Sequence, residues 1–162
     1  MPRISARLLC IAFVAGSLAV VLFHQPMLSL LHAVGISPAR AYATRPTAPL
    51  GIPQVISAAF WGGVWGIIFA CLGARPGRGP RQYAGAVLFG AIVPTFVAWF
   101  IVAPIRGQPV AGGGNLARMM VRPLVNSAWG LGLAFLLDVL DRICPGKTEL
   151  PQHATPSGLN AV

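Results

Sequence analysis

Charged side chains are scarce in this sequence. Only 9% of its 162 residues are charged, 56% are hydrophobic, and the mean hydropathy is +0.72. A soluble domain carries about a quarter charged residues, so this chain would have too little polar surface to face water. The scarcity of charge excludes an ordinary soluble domain and predicts a protein whose solvent is the lipid bilayer.

Acidic residues are the rarest of the charged types. There are three, against twelve Lys and Arg, and the formal net charge is +9. The sequence has no HExxH or GxSxG motif and no phosphate-binding loop. We therefore predict no catalytic residues, no cofactor and no metal site, and the sequence leans away from an enzyme. The positive charge fits arginines at a membrane boundary better than nucleic-acid binding. All three acids lie in the last part of the chain: Asp138, Asp141 and Glu149.

Cysteines are few, and their spacing matches no zinc motif. Cys10, Cys71 and Cys144 are all predicted to lie near the cytoplasmic face, where thiols stay reduced. We interpret them as small apolar residues that fill space between helices, rather than as metal ligands.

Four apolar segments are long enough to cross a bilayer, which takes about 20 residues. A basic start with Arg3 and Arg7 is typical of signal peptides, but the apolar run continues to Val34, too far for a signal-peptide core. The sequence predicts an all-α integral membrane bundle of four transmembrane helices in residues 1–144, with spans at 8–34, 54–73, 83–103 and 119–141. Residues 145–162 are predicted to be a polar, disordered cytoplasmic tail.

An even number of spans places both termini on one side of the membrane. The short loop between the second and third spans holds Arg75, Arg78 and Arg81, and basic residues in short loops favour the cytoplasm. We therefore predict cytoplasmic termini. The strong preference for arginine over lysine is weak evidence for a bacterial source, so the predicted location is the bacterial inner (plasma) membrane, as a multi-pass protein.

The second span carries a stripe of small residues on one helical face. Such stripes let two helices approach closely, because membrane helices associate by packing and polar contacts. The partner helix is predicted to lie within the chain rather than in a second copy, although a homo-oligomer or a membrane-protein partner stays open. Trp61 and Trp65 are predicted to pack across helices. The stripe consists of Ala58, Gly62, Gly66 and Ala70.

Shifting the sequence against itself aligns a few residues of the two halves. Pro26 falls on Pro94, and the pair Trp61-Gly62 falls on Trp129-Gly130. Parallel repeats of this kind occur in some transporters. Few other residues match, so the sequence alone does not establish a duplication.

The first span contains a cluster of residues that are awkward in a membrane helix. Pro26 lacks an N–H group, which frees the carbonyl of Leu22 in an α-helix. That carbonyl needs another donor, because the hydrocarbon layer holds no water. We expect a kink at Pro26, with the side chains of His24 and Gln25, or of another helix, satisfying the backbone.

Polar residues recur at the outer ends of three spans, where an intramembrane polar residue suggests a functional site. They are interpreted either as polar contacts between helices, which we favour, or as the lining of an outward-opening pocket. The arginines in the outer loops have no acidic neighbour, so a ligand there would be anionic, such as a lipid headgroup. The residues of this predicted pocket are His24, Gln25, Ser29, Gln54, Ser57, Arg118, Arg122 and Asn126.

Asp138 is the acid that enters the predicted membrane layer. Arg142 follows it by one helical turn, a spacing that favours an ion pair. Buried carboxylates also serve in proton relays, but the position of Asp138 near the cytoplasmic end favours the paired, structural interpretation.

Two elements of the sequence are similar to a known type of protein. Phe23-His24-Gln25 forms an FHQ element, and residues 53–66 read PQVISAAFWGGVWG. The chain thereby resembles a family of small bacterial inner-membrane proteins with four helices and an AFWGGxWG-like second helix. The resemblance implies location and architecture, and it carries no activity.

Three classes of function remain. The leading prediction is a membrane protein of unknown activity that is accessory or structural, or that binds an anionic lipid or partner at its outer face. The alternative is a small transporter or channel with an outward-facing polar pocket between helices 1, 2 and 4. A membrane enzyme acting on lipid phosphates would need an acid or nucleophile near the outer arginines, and the sequence places none there.

Overall fold

Four long helices dominate the computed structural model, which describes residues 5–73 and 79–145. Each is long and apolar enough to cross a membrane, which confirms the predicted all-α bundle of four transmembrane helices. The shortest, with 18 residues, is about 27 Å long. The predicted tail beyond Pro145 lies outside the described residues. The helices are α1 Ala6–Ala33, α2 Gln54–Cys71, α3 Pro80–Ile105 and α4 Leu116–Ile143.

The helices begin at residues suited to that position. Ser5 caps α1 by accepting a hydrogen bond from the Leu8 N–H at 3.2 Å, and Asn115 caps α4 by accepting from the Arg118 N–H at 3.1 Å. Pro80 opens α3, where its missing N–H costs no helical bond. The third and fourth helices consequently start before the predicted spans at 83 and 119.

The four helices are arranged in the order α2, α1, α4, α3. Helix α1 packs extensively on α2, α3 packs on α4, and α1 and α4 join the two pairs, whereas the backbones of α2 and α3 make few contacts. The core lies along the α1–α4 seam, where Ala12, Ala15 and Leu133 are completely buried. The bundle is therefore a ring of four helices with one open side, between α2 and α3.

Both hairpins are held by the same kind of close backbone contact. A Cβ added to Gly16 of α1 would lie 2.2 Å from the Gly62 carbonyl oxygen of α2, and one added to Gly66 would lie 2.3 Å from the Ala12 oxygen. The small stripe of α2 thus lies against α1 of the same chain, with Ala70 also buried and Ala58 partly buried.

The second hairpin repeats this geometry with different residues. A Cβ on Gly130 of α4 would lie 2.1 Å from the Ala86 oxygen of α3, and one on Gly90 would lie 2.2 Å from the Asn126 oxygen. Ala86 and Gly90 therefore correspond to Ala12 and Gly16. This register differs from the alignment of Pro26 with Pro94 in the sequence overlay.

Two turns of π-helix interrupt the long helices. One spans Val20–His24 in α1 and the other spans Ala98–Val102 in α3. Each ends two residues before a proline, Pro26 in the first case and Pro104 in the second. A π-turn shifts the hydrogen-bond register by one residue, so each changes which carbonyl the following proline leaves unpaired.

Two longer loops lie at one end of the bundle, hereafter the long-loop end. The opposite end, with Ser5, Gly73, Gly79 and Cys144, is the terminal end. The first long loop contains a short antiparallel ladder of β1 Pro46–Thr47 and β2 Ile52–Pro53, which the sequence did not predict. The second contains a 3₁₀ segment, Val110–Gly114, that includes left-handed residues such as Ala111.

Candidate functional site

The first long loop folds back onto α1 through Tyr42. Within the π-turn, the Gln25 N–H donates a hydrogen bond to the Val20 carbonyl. In the same register, an N–H at position 26 would donate to the Val21 carbonyl. Because Pro26 has no N–H, the Val21 carbonyl is left without a backbone donor. The Tyr42 hydroxyl donates to this Val21 oxygen at 2.9 Å. The expected kink site therefore exists, but the freed acceptor is Val21 rather than Leu22, and its donor comes from the loop rather than from His24 or Gln25.

Gln25 anchors the same loop residue. Its side chain is 5% exposed, and its Oε1 accepts a hydrogen bond from the Tyr42 N–H at 2.8 Å. Tyr42 has a positive φ of 53°, a conformation that L-residues seldom adopt. The two hydrogen bonds hold Tyr42 in this conformation, so Gln25 has a structural role in the predicted pocket.

Asn126 takes part in a comparable arrangement in the second hairpin. Pro94 lies inside α3 and leaves the Gly90 carbonyl without its helical donor. The hydroxyl of Thr95, 2% exposed, donates to the Gly90 oxygen at 3.4 Å. The Asn126 amide in turn donates to the Thr95 hydroxyl at 2.8 Å. The Asn126 amide thus reaches α3 and holds the Thr95 hydroxyl, which replaces the hydrogen-bond donor that Pro94 lacks.

One histidine and two arginines, from α1, from α4 and from the residue after α3, lie within electrostatic range at the long-loop end. Arg122 of α4 lies close enough to both His24 of α1 and Arg106 for its charge to act on each of them. Arg106 is the residue that follows α3. The acids in the described part of the chain, Asp138 and Asp141, lie at the other end of α4. We call His24, Arg106 and Arg122 the basic triplet.

The other residues of the predicted pocket are wholly or partly exposed. Ser29, Gln54 and Arg118 are exposed, and Ser57 is half-buried. The structure brings His24 and Arg122 together, whereas Gln25 and Asn126 are each engaged by neighbours of their own. Whether the eight residues share one pocket stays a prediction.

Two buried side-chain atoms of α1 make no hydrogen bond within the described part of the chain. They are the Ser17 hydroxyl oxygen and the His24 Nδ1. Native proteins pair nearly all buried polar atoms, so unsatisfied ones mark positions where a ligand, an ion or water has a reason to bind. His24 therefore combines a cationic neighbour with unused hydrogen-bonding capacity.

Polar contacts at the terminal end join helices. Asp138 accepts hydrogen bonds from the Tyr83 hydroxyl at 3.1 Å and the Gln82 amide at 3.4 Å, both on α3. Asp141 forms an ion pair with Arg7 of α1 at 2.8 Å, and Arg7 also donates to the Cys144 carbonyl. The predicted pairing of Asp138 with Arg142 stays a prediction, while the two cross-helix contacts give both acids structural roles.

The cysteines do not fill space inside the bundle. Cys10, Cys71 and Cys144 are free thiols and all three are exposed, which corrects the interpretation that they fill gaps between helices. Within residues 5–73 and 79–145, no group of three or more His, Cys, Asp or Glu residues could hold a metal ion.

Three residues that organise the site were not singled out from the sequence. Tyr42 and Thr95 supply hydroxyls to proline-freed carbonyls, and Trp129, 3% exposed, donates to the Gly16 oxygen at 2.9 Å. Thr95 follows its proline directly, which is a usable signal. Tyr42 lies in a loop and Trp129 is distant in sequence from Gly16, so neither has a local signal.

Comparison with known proteins was negative at every level. No protein-family model matches the chain, and no curated protein or solved structure matches it.

Proposed function

We propose that this protein is an accessory protein of the bacterial inner membrane that binds a phosphate-bearing partner at its long-loop end, on the outer side. The observation that carries the proposal is the buried His24 Nδ1, which has no hydrogen-bond partner among the described residues and lies within electrostatic range of Arg122, as Arg122 does of Arg106. The like charges of Arg106 and Arg122 raise the free energy of the unliganded protein, and a bound anion relieves that repulsion.

The chemistry of the triplet favours phosphate over other anions. Guanidinium groups donate paired, charge-assisted hydrogen bonds to phosphate oxygens. Arg106 directly follows α3 and Arg122 lies in the second turn of α4, and arginine side chains near helix ends extend to the depth of lipid headgroups. His24 lies deeper, with an unsatisfied Nδ1 that can contact a group bound between the arginines.

The test is the thermal stability of the purified protein in detergent, with and without a phosphate ligand. We expect phosphatidylglycerol to raise Tm through stabilisation of the folded state by binding. Arg122→Gln removes charge-assisted hydrogen bonds of about 1.5–3 kcal/mol each, so it should weaken binding at least about tenfold. Without ligand, the same variant should be as stable as the native protein or more stable, because the repulsion from Arg106 is gone.

The matched control is Arg40→Gln, which removes an exposed arginine at the same end and should leave the ligand-induced rise intact. Inorganic pyrophosphate distinguishes a lipid headgroup from a soluble phosphate: a rise with both probes indicates that phosphate alone suffices, and a rise with the lipid alone indicates a headgroup site. An equal rise in Tm in native protein and Arg122→Gln would refute the proposal.

A small transporter is the second candidate function. It is favoured by the Ser17 hydroxyl and His24 Nδ1, two atoms of α1 that are buried and have no hydrogen-bond partner among the described residues. In a variant that lacks the native cysteines, Ser17→Cys should react with a small water-soluble thiol reagent if a polar path reaches it. Protection of that thiol would exclude the path.

A further inference from the structure

The open side of the helix ring contains a groove. It lies between α2 and α3 at the terminal end and has a volume of about 630 Å³, within the range of ligand pockets, roughly 300–1,000 Å³. Phe69 and Leu72 line it from the end of α2, and Arg81, Gly85 and Phe89 line it from α3. The groove is thus the space left by the two helices whose backbones stay apart.

The groove is apolar at depth and cationic at its rim. Phe89 closes the deep part by packing on Phe69, with ring centroids 5.2 Å apart, and on Trp65, at 6.2 Å. Arg81 is exposed at the shallow end and forms no ion pair with a described residue. This gradient of polarity along one wall matches an amphiphile rather than a uniformly polar or apolar ligand.

The depth of these residues matches the structure of a phospholipid leaflet. Arg81 is the second residue of α3, which places it at the membrane boundary, where phosphates lie. Phe89 follows eight residues later, about 12 Å deeper along the helix. A phosphate at Arg81 would therefore leave an acyl chain extending towards Phe89.

Gly85 leaves the middle of the groove open. A Cβ built on Gly85 meets no atom within 4 Å. A Cβ built on Gly90, further along α3, would instead collide with the Asn126 backbone of α4. Gly85 therefore contributes nothing to helix packing, and its effect is to keep the groove wide.

We propose that the groove binds one acyl chain of an anionic phospholipid whose phosphate is held by Arg81. A transmembrane helix of 18 residues, at about 10 Å in diameter and 1.5 Å per residue, occupies roughly 2,000 Å³. That is several times the volume of the groove, so an acyl chain fits where a helix does not. This site is at the opposite end of the molecule from the basic triplet and does not depend on it.

The experiment is native mass spectrometry of the full chain in detergent, in an Arg122→Gln background that weakens lipid binding at the basic triplet, titrated with phosphatidylglycerol or with phosphatidylcholine. Gly85→Leu places a side chain in the groove at a position where a Cβ meets no atom within 4 Å, and it should weaken binding of the first lipid at least about tenfold. Arg81→Gln should remove the preference for phosphatidylglycerol over phosphatidylcholine, because the positive charge of Arg81 is attracted to a net negative headgroup and repelled by the cationic choline, while the apolar groove is unchanged.

Each variant has a matched control. Ala84→Leu adds a similar side chain one position earlier, at an exposed site of the same helix, and Arg40→Gln removes one positive charge at the other end. Neither should change lipid binding. Equal binding by Gly85→Leu and Ala84→Leu would overturn the proposal, as would a dimer of the native chain that Gly85→Leu dissociates, since the groove would then be an interface between copies.

Discussion

At the scale of single residues, two hydroxyl groups replace N–H groups that prolines lack. Tyr42 donates to the Val21 carbonyl near Pro26, and Thr95 donates to the Gly90 carbonyl that Pro94 leaves free. An unpaired backbone carbonyl in a bilayer costs several kcal/mol, so these two donors stabilise the helices at Pro26 and Pro94. Gln25 and Asn126 are accordingly engaged in hydrogen bonds that hold the structure, whereas the His24 Nδ1 keeps no partner among the described residues.

Tyr42→Phe removes one of these donors. We expect a loss of about 1–3 kcal/mol in the free energy of unfolding, measured as a fall in Tm in detergent. The loss should shrink in a Pro26→Ala background, because alanine restores a backbone N–H that can serve the helix. Equal losses in both backgrounds would show that the Tyr42 hydroxyl stabilises the loop for a reason unrelated to the proline.

Thr95→Val removes the other donor at almost constant side-chain volume. The Gly90 carbonyl and the Asn126 amide then both lose a partner, so we expect destabilisation of about 1–3 kcal/mol. Thr95→Ser keeps the hydroxyl and is the control, with a smaller loss set by one methyl group. If the serine variant proves as unstable as the valine variant, the methyl group rather than the hydroxyl matters at this position.

At the scale of elements, both hairpins depend on backbone atoms in near contact. Gly16 and Gly66 in the first, and Gly90 and Gly130 in the second, have no room for a Cβ. The small stripe on α2 predicts such packing from sequence alone, because Gly62 and Gly66 are one turn apart on one face. The partner residues on α1 were not predictable in the same way, since Ala12 and Gly16 occur among many other small residues.

Gly16→Ala tests this packing. Its Cβ would lie 2.2 Å from the Gly62 oxygen, so α1 and α2 must separate, and overpacking of this kind typically costs about 1–3 kcal/mol. Gly85→Ala is the control, because its Cβ meets no atom within 4 Å, and alanine is the better helix former by about 1 kcal/mol. The Tm should therefore fall for Gly16→Ala and rise for Gly85→Ala.

The difference between the predicted site and the observed one also belongs to this scale. Composition and span length predict the four helices, because those properties are local. The contact of Asn126 with Thr95, or of Gln25 with Tyr42, depends on how helices and loops meet, which the sequence does not encode locally. The convergence of Arg106 with Arg122 likewise required the fold, because the first follows α3 and the second lies in α4.

At the scale of the whole molecule, the predicted orientation follows from the arginines near the terminal end. We expect Cys144 to face the cytoplasm and Ala39, exposed in the first long loop, to face outward. In single-cysteine variants, a membrane-impermeant maleimide added to intact cells should label Ala39→Cys at once and Cys144 only after permeabilisation. The reverse pattern would show that the protein is inserted in the opposite orientation, with the basic triplet inside.

The ring of helices is open between α2 and α3, and this has a consequence for the order in which the helices assemble. Each close backbone contact joins helices that are adjacent in sequence, so the α1–α2 hairpin can form during synthesis before α3 and α4 leave the ribosome. The second hairpin then forms by the same local pairing. The seam between α1 and α4, with Trp129 bonded to Gly16 and Arg7 paired with Asp141, closes last. Assembly is thereby ordered from the N-terminus, and a ribosome-stalled chain that ends before α3 should already contain its first hairpin.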